Sequence, residues 1–158
     1  MRRGRYAVTL VEVLIVVLIL AIISMVVVPK LGSASDEARE SALLTDLRTA
    51  RCQIRLYATQ HAGRLPHLDE NGQLDTANLV NRLTKRTDID GKLNPNGPSG
   101  PYLLEWPDNP FCPASVSQKI QFGTAPTPPR DGTSGWYYNT NTGIVSPNST
   151  MGGESLDP

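Results

Sequence analysis

The sequence is short of the features that mark a catalytic, metal-binding or nucleic-acid-binding chain. Neither charge dominates, since Lys plus Arg and Asp plus Glu each number 15. A nucleic-acid partner asks for a clustered basic face, which this balance does not supply, so none is expected. Histidine occurs only as His61 and His67, with no carboxylate or cysteine at ligand spacing. Both rings are therefore expected in solvent, and no metal site is expected. The two cysteines, Cys52 and Cys112, are far apart and form no C-x-x-C, which excludes a thioredoxin-like or zinc site. Past a membrane they can form one bridge. The alternative is two unpaired thiols, with Cys52 buried on its helix as a small apolar residue, and sequence alone does not supply the distance that decides. No nucleophile–base pair, phosphate-cradling glycine loop or paired carboxylate stands out, so neither catalysis nor a cofactor is expected. Asp88-Ile89-Asp90-Gly91 with Asn94, and Asp69 with Asn71 and Asp75, lack the closing glutamate of an EF-hand loop and read as turn and cap residues. Asn148-Ser149-Thr150 fits a glycosylation sequon, a weak signal alone.

What the sequence does have is one long apolar run, Val13 to Val28, preceded by Thr9-Leu10-Val11-Glu12 and by the basic residues Arg2, Arg3 and Arg5. Val8 to Val28 supplies about the 20 residues that a bilayer-spanning helix needs. An acid at the middle of such a helix costs roughly 2.5–3.5 kcal/mol, less near an end, and no Lys or Arg inside the run can partner Glu12. Three readings compete. A secretory signal peptide would use Ser33-Ala34-Ser35 as its cleavage site, but the run exceeds the usual apolar region and an acid stands at its entrance. A plain anchor fits the length, and its basic leader keeps the amino end cytoplasmic. It gives Glu12 no purpose beyond a favourable position at a helix start.

The third reading comes from the residues themselves. Arg2-Arg3-Gly4-Arg5-Tyr6-Ala7 followed by Val8-Thr9-Leu10-Val11-Glu12-Val13-Leu14-Ile15-Val16-Val17 resembles the class III leader and methylation motif of type IV pilins and type II secretion pseudopilins. The resemblance implies a prepilin peptidase cut between Ala7 and Val8, which makes Glu12 the fifth mature residue, and N-methylation of Val8. The family usually has Gly before the cut and Phe after it, where this chain has Ala7 and Val8. Pro29 falls where the family often places a proline in its first helix. The resemblance also supplies a partner for Glu12, the new α-amino group of Val8, from the same subunit or from a stacked neighbour. In a low-dielectric setting such pairing is worth most.

Beyond the run, Pro29 with Gly32 and Ser33 predicts a kink or local melting up to Ser35. Asp36 is then expected to cap a resumed helix, on which Leu43, Leu47, Ala50, Ile54 and Tyr57 recur at steps of four and three. That stripe is where a globular domain should sit, leaving Asp46, Arg48, Arg51 and Arg55 wet. Gly63 as C′ residue and Pro66 end the helix near Ala62. Asn71-Gly72 reads as a tight turn, and Asp75 or Thr76 as the cap of a short helix with Leu79, Val80 and Leu83. Asn94 to Pro101 is a loop, pinned by Tyr102, Leu103, Trp106 and Phe111. Lys119-Phe122, Gly135-Asn139 and Gly143-Ser146 read as strands, the last two as a hairpin through Thr140-Asn141-Thr142-Gly143. Pro126, Pro128 and Pro129 mark the excursion before that hairpin, and Asn148 to Pro158 reads as a frayed tail.

Gly100-Pro101-Tyr102-Leu103 with Trp106-Pro107-Asp108-Asn109-Pro110 resembles a loop of proteins similar to the major pseudopilin of type II secretion. Those proteins usually carry a calcium-binding acidic loop near the carboxyl end, whereas Thr140 to Gly153 holds no acid. Calcium is thus possible by resemblance but unsupported by these residues. The expected architecture is α+β: leader 1–7, transmembrane and polymerisation helix 8–28, amphipathic continuation 29–63, and a small antiparallel sheet domain within 64–158. The resemblance implies a single-pass inner-membrane subunit with a cytoplasmic amino end and a periplasmic domain. Its implied partners are copies of itself in a filament, other pseudopilins, the prepilin peptidase/N-methyltransferase, an inner-membrane assembly platform and lipid.

Overall fold

The computed structural model describes residues 9–149, without the side chains of residues 25–34. The chain divides into two units, Met1–Ala38 and Arg39–Pro158. Helix α1 is assigned over Leu10–Gln60 and continues through Pro29 and Gly32. Asp36, expected to cap a second helix, lies inside α1, because the helix does not stop before it.

In the second unit the apolar stripe is the core. Leu43, Leu47, Ala50, Ile54 and Tyr57 are all buried, joined by Leu79, Leu83, Trp106, Trp136, Tyr138 and Val145. Each fully buried Leu or Ile contributes about 1.5–3 kcal/mol relative to exposure, so this one face of α1 is a large part of what holds the unit together. Arg48 and Arg55 are exposed as the stripe requires, but Arg51 and Asp46 are half-buried. Arg51 donates from Nε to the Val145 carbonyl (2.8 Å), and burial raises the Asp46 pKa with help from the charge of Asp108.

The end of α1 departs by one residue from expectation. The Gly63 N–H reaches back to the Ala58 carbonyl (2.7 Å), a Schellman closure, which puts Ala62 in the left-handed C′ position with φ 53°. Gly63 follows it at φ 84°.

The next segment uses one turn twice. The Asp69 N–H donates to Gln73 and the Asp88 N–H to Lys92, while Gly72 and Gly91 donate back to Asp69 and Asp88. Between these turns a 3₁₀ turn at Thr76–Asn78 leads into α2, Leu79–Thr84. Asp75 precedes it but makes no side-chain cap; its carboxylate instead accepts from Asn78 Nδ2 (2.9 Å) and Arg82 Nη2 (2.7 Å). Leu83 then holds the following loop, its carbonyl accepting from the N–H groups of Tyr102 (2.8 Å) and Leu103 (2.9 Å).

Strands β1 (Ile120–Gly123), β2 (Trp136–Asn139) and β3 (Val145–Pro147) form a sheet in the order β1-β2-β3. The α+β class holds, with a mixed rather than wholly antiparallel sheet. β2 and β3 are the expected hairpin, Tyr138 opposite Val145, but β1 runs parallel to β2 with Ile120 opposite Trp136. The Pro-rich stretch between β1 and β2 is long enough to carry the chain back to where β1 began, which a parallel pair requires. Gly135 permits the return, for a Cβ there would collide with the Ser117 carbonyl.

Candidate assembly site

Thr9 stands just outside α1. Its hydroxyl accepts from the Glu12 N–H (3.2 Å), and its carbonyl accepts from the Val13 N–H (3.3 Å). That is an N-cap, worth about 1 kcal/mol, with Glu12 as the acid of the first turn. Thr-x-x-Glu is the sequence signature of a capping box, a signal that the motif reading leaves unused. Glu12 is exposed and sits at the positive end of the helix dipole.

Around this acid the apolar surface is uncovered on every side. The large apolar side chains from Leu10 to Ile23 range from 49% exposed at Ile19 to 83% at Leu10. A helix at the edge of a core shows one covered stripe; a helix apolar all round is one whose cover comes from outside its own domain. In water the cap and dipole suffice for Glu12, whereas in apolar surroundings the carboxylate needs a cation.

Ala7 and Val8 fall outside the described residues, as does the side chain of Pro29; of Gly32 the backbone is described, within α1. Cys52 and Cys112 are free thiols. Cys52 is exposed, not buried, because it lies off the stripe. Cys112 is half-buried, directed at the Ser134 carbonyl (3.8 Å), and burial raises its pKa. Thr150, the last residue of the sequon, is outside the described residues, while Asn148 and Ser149 are buried rather than frayed.

Both histidines are buried, contrary to expectation. His61 continues the core stripe one step past Tyr57 and stacks on its ring at 3.8 Å. Its Nδ1 meets the Tyr57 carbonyl (2.7 Å), so that nitrogen carries the proton, and Nε2 meets the Thr87 hydroxyl (2.9 Å). His67 Nδ1 pairs with the Tyr138 hydroxyl (2.9 Å). Burial, and then the nearby Arg82 guanidinium, lower the His67 pKa. Burial pushes the Tyr57 hydroxyl up to about 12. Arg82 is itself buried, paired with Asp75 and donating to the carbonyls of Gly91 (3.1 Å) and Pro66 (3.2 Å). Every one of these groups joins loop to core, and none forms a nucleophile–base pair. Among the described residues, no group of three His, Cys, Asp or Glu side chains could hold a metal ion.

Residues 2–28 match the prokaryotic N-terminal methylation motif. This methylation motif is the signature of type IV pilin-like proteins and pseudopilins. It implies a membrane-anchored chain processed by prepilin peptidase and assembled into pilin-like filaments. Proteins with the methylation motif are structural rather than enzymatic. No curated protein and no solved structure matches the chain. Among the described residues, no helix is long and apolar enough to cross a membrane. The apolar run of the sequence continues to Val28, past the last described side chain of this segment, Ser24.

Proposed function

We propose that the chain is a structural subunit of a type II secretion pseudopilus. Prepilin peptidase cuts between Ala7 and Val8, and Val8 is N-methylated. The helix then packs through Thr9, Leu10, Glu12 and the apolar residues that follow into the centre of a filament. Its extension from the inner membrane pushes cargo outward, with the second unit in the periplasm. Glu12 acts as an assembly sensor: unpaired in lipid it carries a penalty, and docking presents to it the α-amino group of a Val8. Pro29 and Gly32 provide a bend between the membrane segment and the rest of α1. Other pseudopilins, the prepilin peptidase/N-methyltransferase, an inner-membrane platform and lipid are the partners. The reading assigns no cofactor and no catalytic residue.

The observation that carries it is a helix start exposed on every apolar side, inside a methylation motif. The secretion system is favoured over an adhesive pilus by the resemblance of Gly100-Pro101-Tyr102-Leu103 and Trp106-Pro107-Asp108-Asn109-Pro110 to a loop of proteins similar to the major pseudopilin.

Expression with its own assembly machinery tests the reading. Wild type is expected in sheared filaments, whereas Glu12→Ala is expected to be cleaved and membrane-extractable yet absent from them. Unchanged assembly of Glu12→Ala refutes the sensor. Loss of adhesion, motility or DNA uptake on deletion of the gene, with protein export intact, would assign the chain to a type IV pilus instead.

A further inference from the structure

The resemblance to major pseudopilins implies a bound calcium near the carboxyl end, and the residues found there do not fit one. Calcium takes six to eight oxygen ligands, several of them charged. The one acid in this part of the described structure is Asp131, and its Oδ1 already accepts from the Thr133 N–H (3.0 Å) and the Thr133 hydroxyl (2.8 Å).

The point on which the side-chain oxygens converge is instead held by a nitrogen. Asn148 is fully buried. Its Nδ2 donates toward Gln121 Oε1 (3.0 Å), Asp131 Oδ1 (2.9 Å) and Ser134 Oγ (2.9 Å). These three acceptors come from β1, from the connection after it, and from the approach to β2. The amide has one possible orientation, because its Oδ1 accepts from the Arg130 N–H (2.8 Å). Turned over, it would set oxygen against the Asp131 carboxylate and NH₂ against that N–H. The Asn148 backbone completes the set, its N–H donating to the Gly135 carbonyl (3.0 Å) and its own carbonyl accepting from the Gly132 N–H (3.0 Å).

We infer that the Asn148 side-chain amide does in this chain the work of a bound cation, gathering oxygens from three segments so that the carboxyl-terminal loop is ordered without a divalent ion. Both a cation and an amide N–H satisfy converging oxygens; the amide does so with two hydrogens shared among three acceptors and needs no ion from the periplasm or medium. Exchanging this donor for a carboxylate, Asn148→Asp, leaves the oxygens facing one another and makes the loop dependent on a cation. The inference concerns residues 120–149 alone and stands whether or not the chain forms a secretion filament.

Thermal unfolding of the full chain in detergent, in EDTA and in millimolar calcium, tests it. Wild type should melt within about 1 °C of the same temperature in both, and Asn148→Asp should lose about 5 °C or more in EDTA and regain part of it with calcium. If Asn148→Asp is insoluble in EDTA, refolding yield replaces the melt, and recovery only with calcium is expected. A wild type stabilised by calcium or destabilised by EDTA overturns the inference. So does an Asn148→Asp chain that melts like wild type in EDTA, or one that calcium does not restore by either measure.

Discussion

Two stretches of the same helix meet the problem of apolar surface in opposite ways. From Leu43 to Tyr57 apolar residues recur at steps of four and three, so that one face is buried while Arg48, Cys52 and Arg55 remain outside. From Leu10 to Ile23 they occupy every face and all are exposed. Helix propensity does not separate the two, since both are helical. The arrangement of apolar residues does: a stripe specifies a partner within the same chain, whereas a fully apolar cylinder leaves its cover to lipid or to other copies. The folding stability of the second unit should therefore depend on the stripe and be blind to the cylinder, and assembly should depend on the cylinder.

One substitution made in both places gives the largest contrast. Leu47→Ala should cost about 2–5 kcal/mol of unfolding free energy, the usual loss for a buried leucine. Leu18→Ala, at a residue 61% exposed, should leave the same transition where it is. Denaturant unfolding followed by near-ultraviolet circular dichroism of Trp106 and Trp136 reads both, and equal losses would break the contrast. Next comes Arg82→Ala, which leaves the carbonyls of Pro66 and Gly91 without their donor and should cost about 3 kcal/mol in the same measurement.

Smaller effects come from pH. The His67 pKa is lowered in the folded state, so the unfolded chain binds the proton more readily. Stability is then full above the ordinary value of 6.5 and declines as pH falls below it toward the folded value. Melting temperature should fall between pH 7 and pH 5, and less steeply in His67→Gln. Asp75 acts in a separate window. The Asn78 amide and the Arg82 guanidinium hold its carboxyl below 3.8, so its contribution is present above that value and is lost as pH falls through the folded pKa. The smallest expected change is a gain. Ala62→Gly relieves a left-handed alanine at the end of α1, offset in part by the freedom glycine has when unfolded, and should stabilise by about 0.5 kcal/mol.

The stripe was legible because helical period and burial coincide over five residues, and the hairpin because Asn and Gly stand where its turn needs them. The cap on Glu12 went unread although its signal, Thr9 three residues before the acid, stands in the sequence. The parallel pairing of β1 was not legible, since a strand's alternation is the same in either direction and only the path of the Pro-rich connection decides. Nor was the burial of the histidines, because His61 meets Thr87 26 residues away and His67 meets Tyr138 71 residues away. Asn148 read as the start of a loose tail for the same reason: its acceptors Gln121, Asp131 and Ser134 come together only in the fold.

Mass spectrometry of the amino terminus, on protein from sheared filaments and from membranes, tests most directly whether the apolar half of α1 is covered by other copies. The account predicts filaments built of chains that begin with N-methyl-Val8. Chains retaining Met1, monomeric in the membrane and absent from any filament, would contradict it.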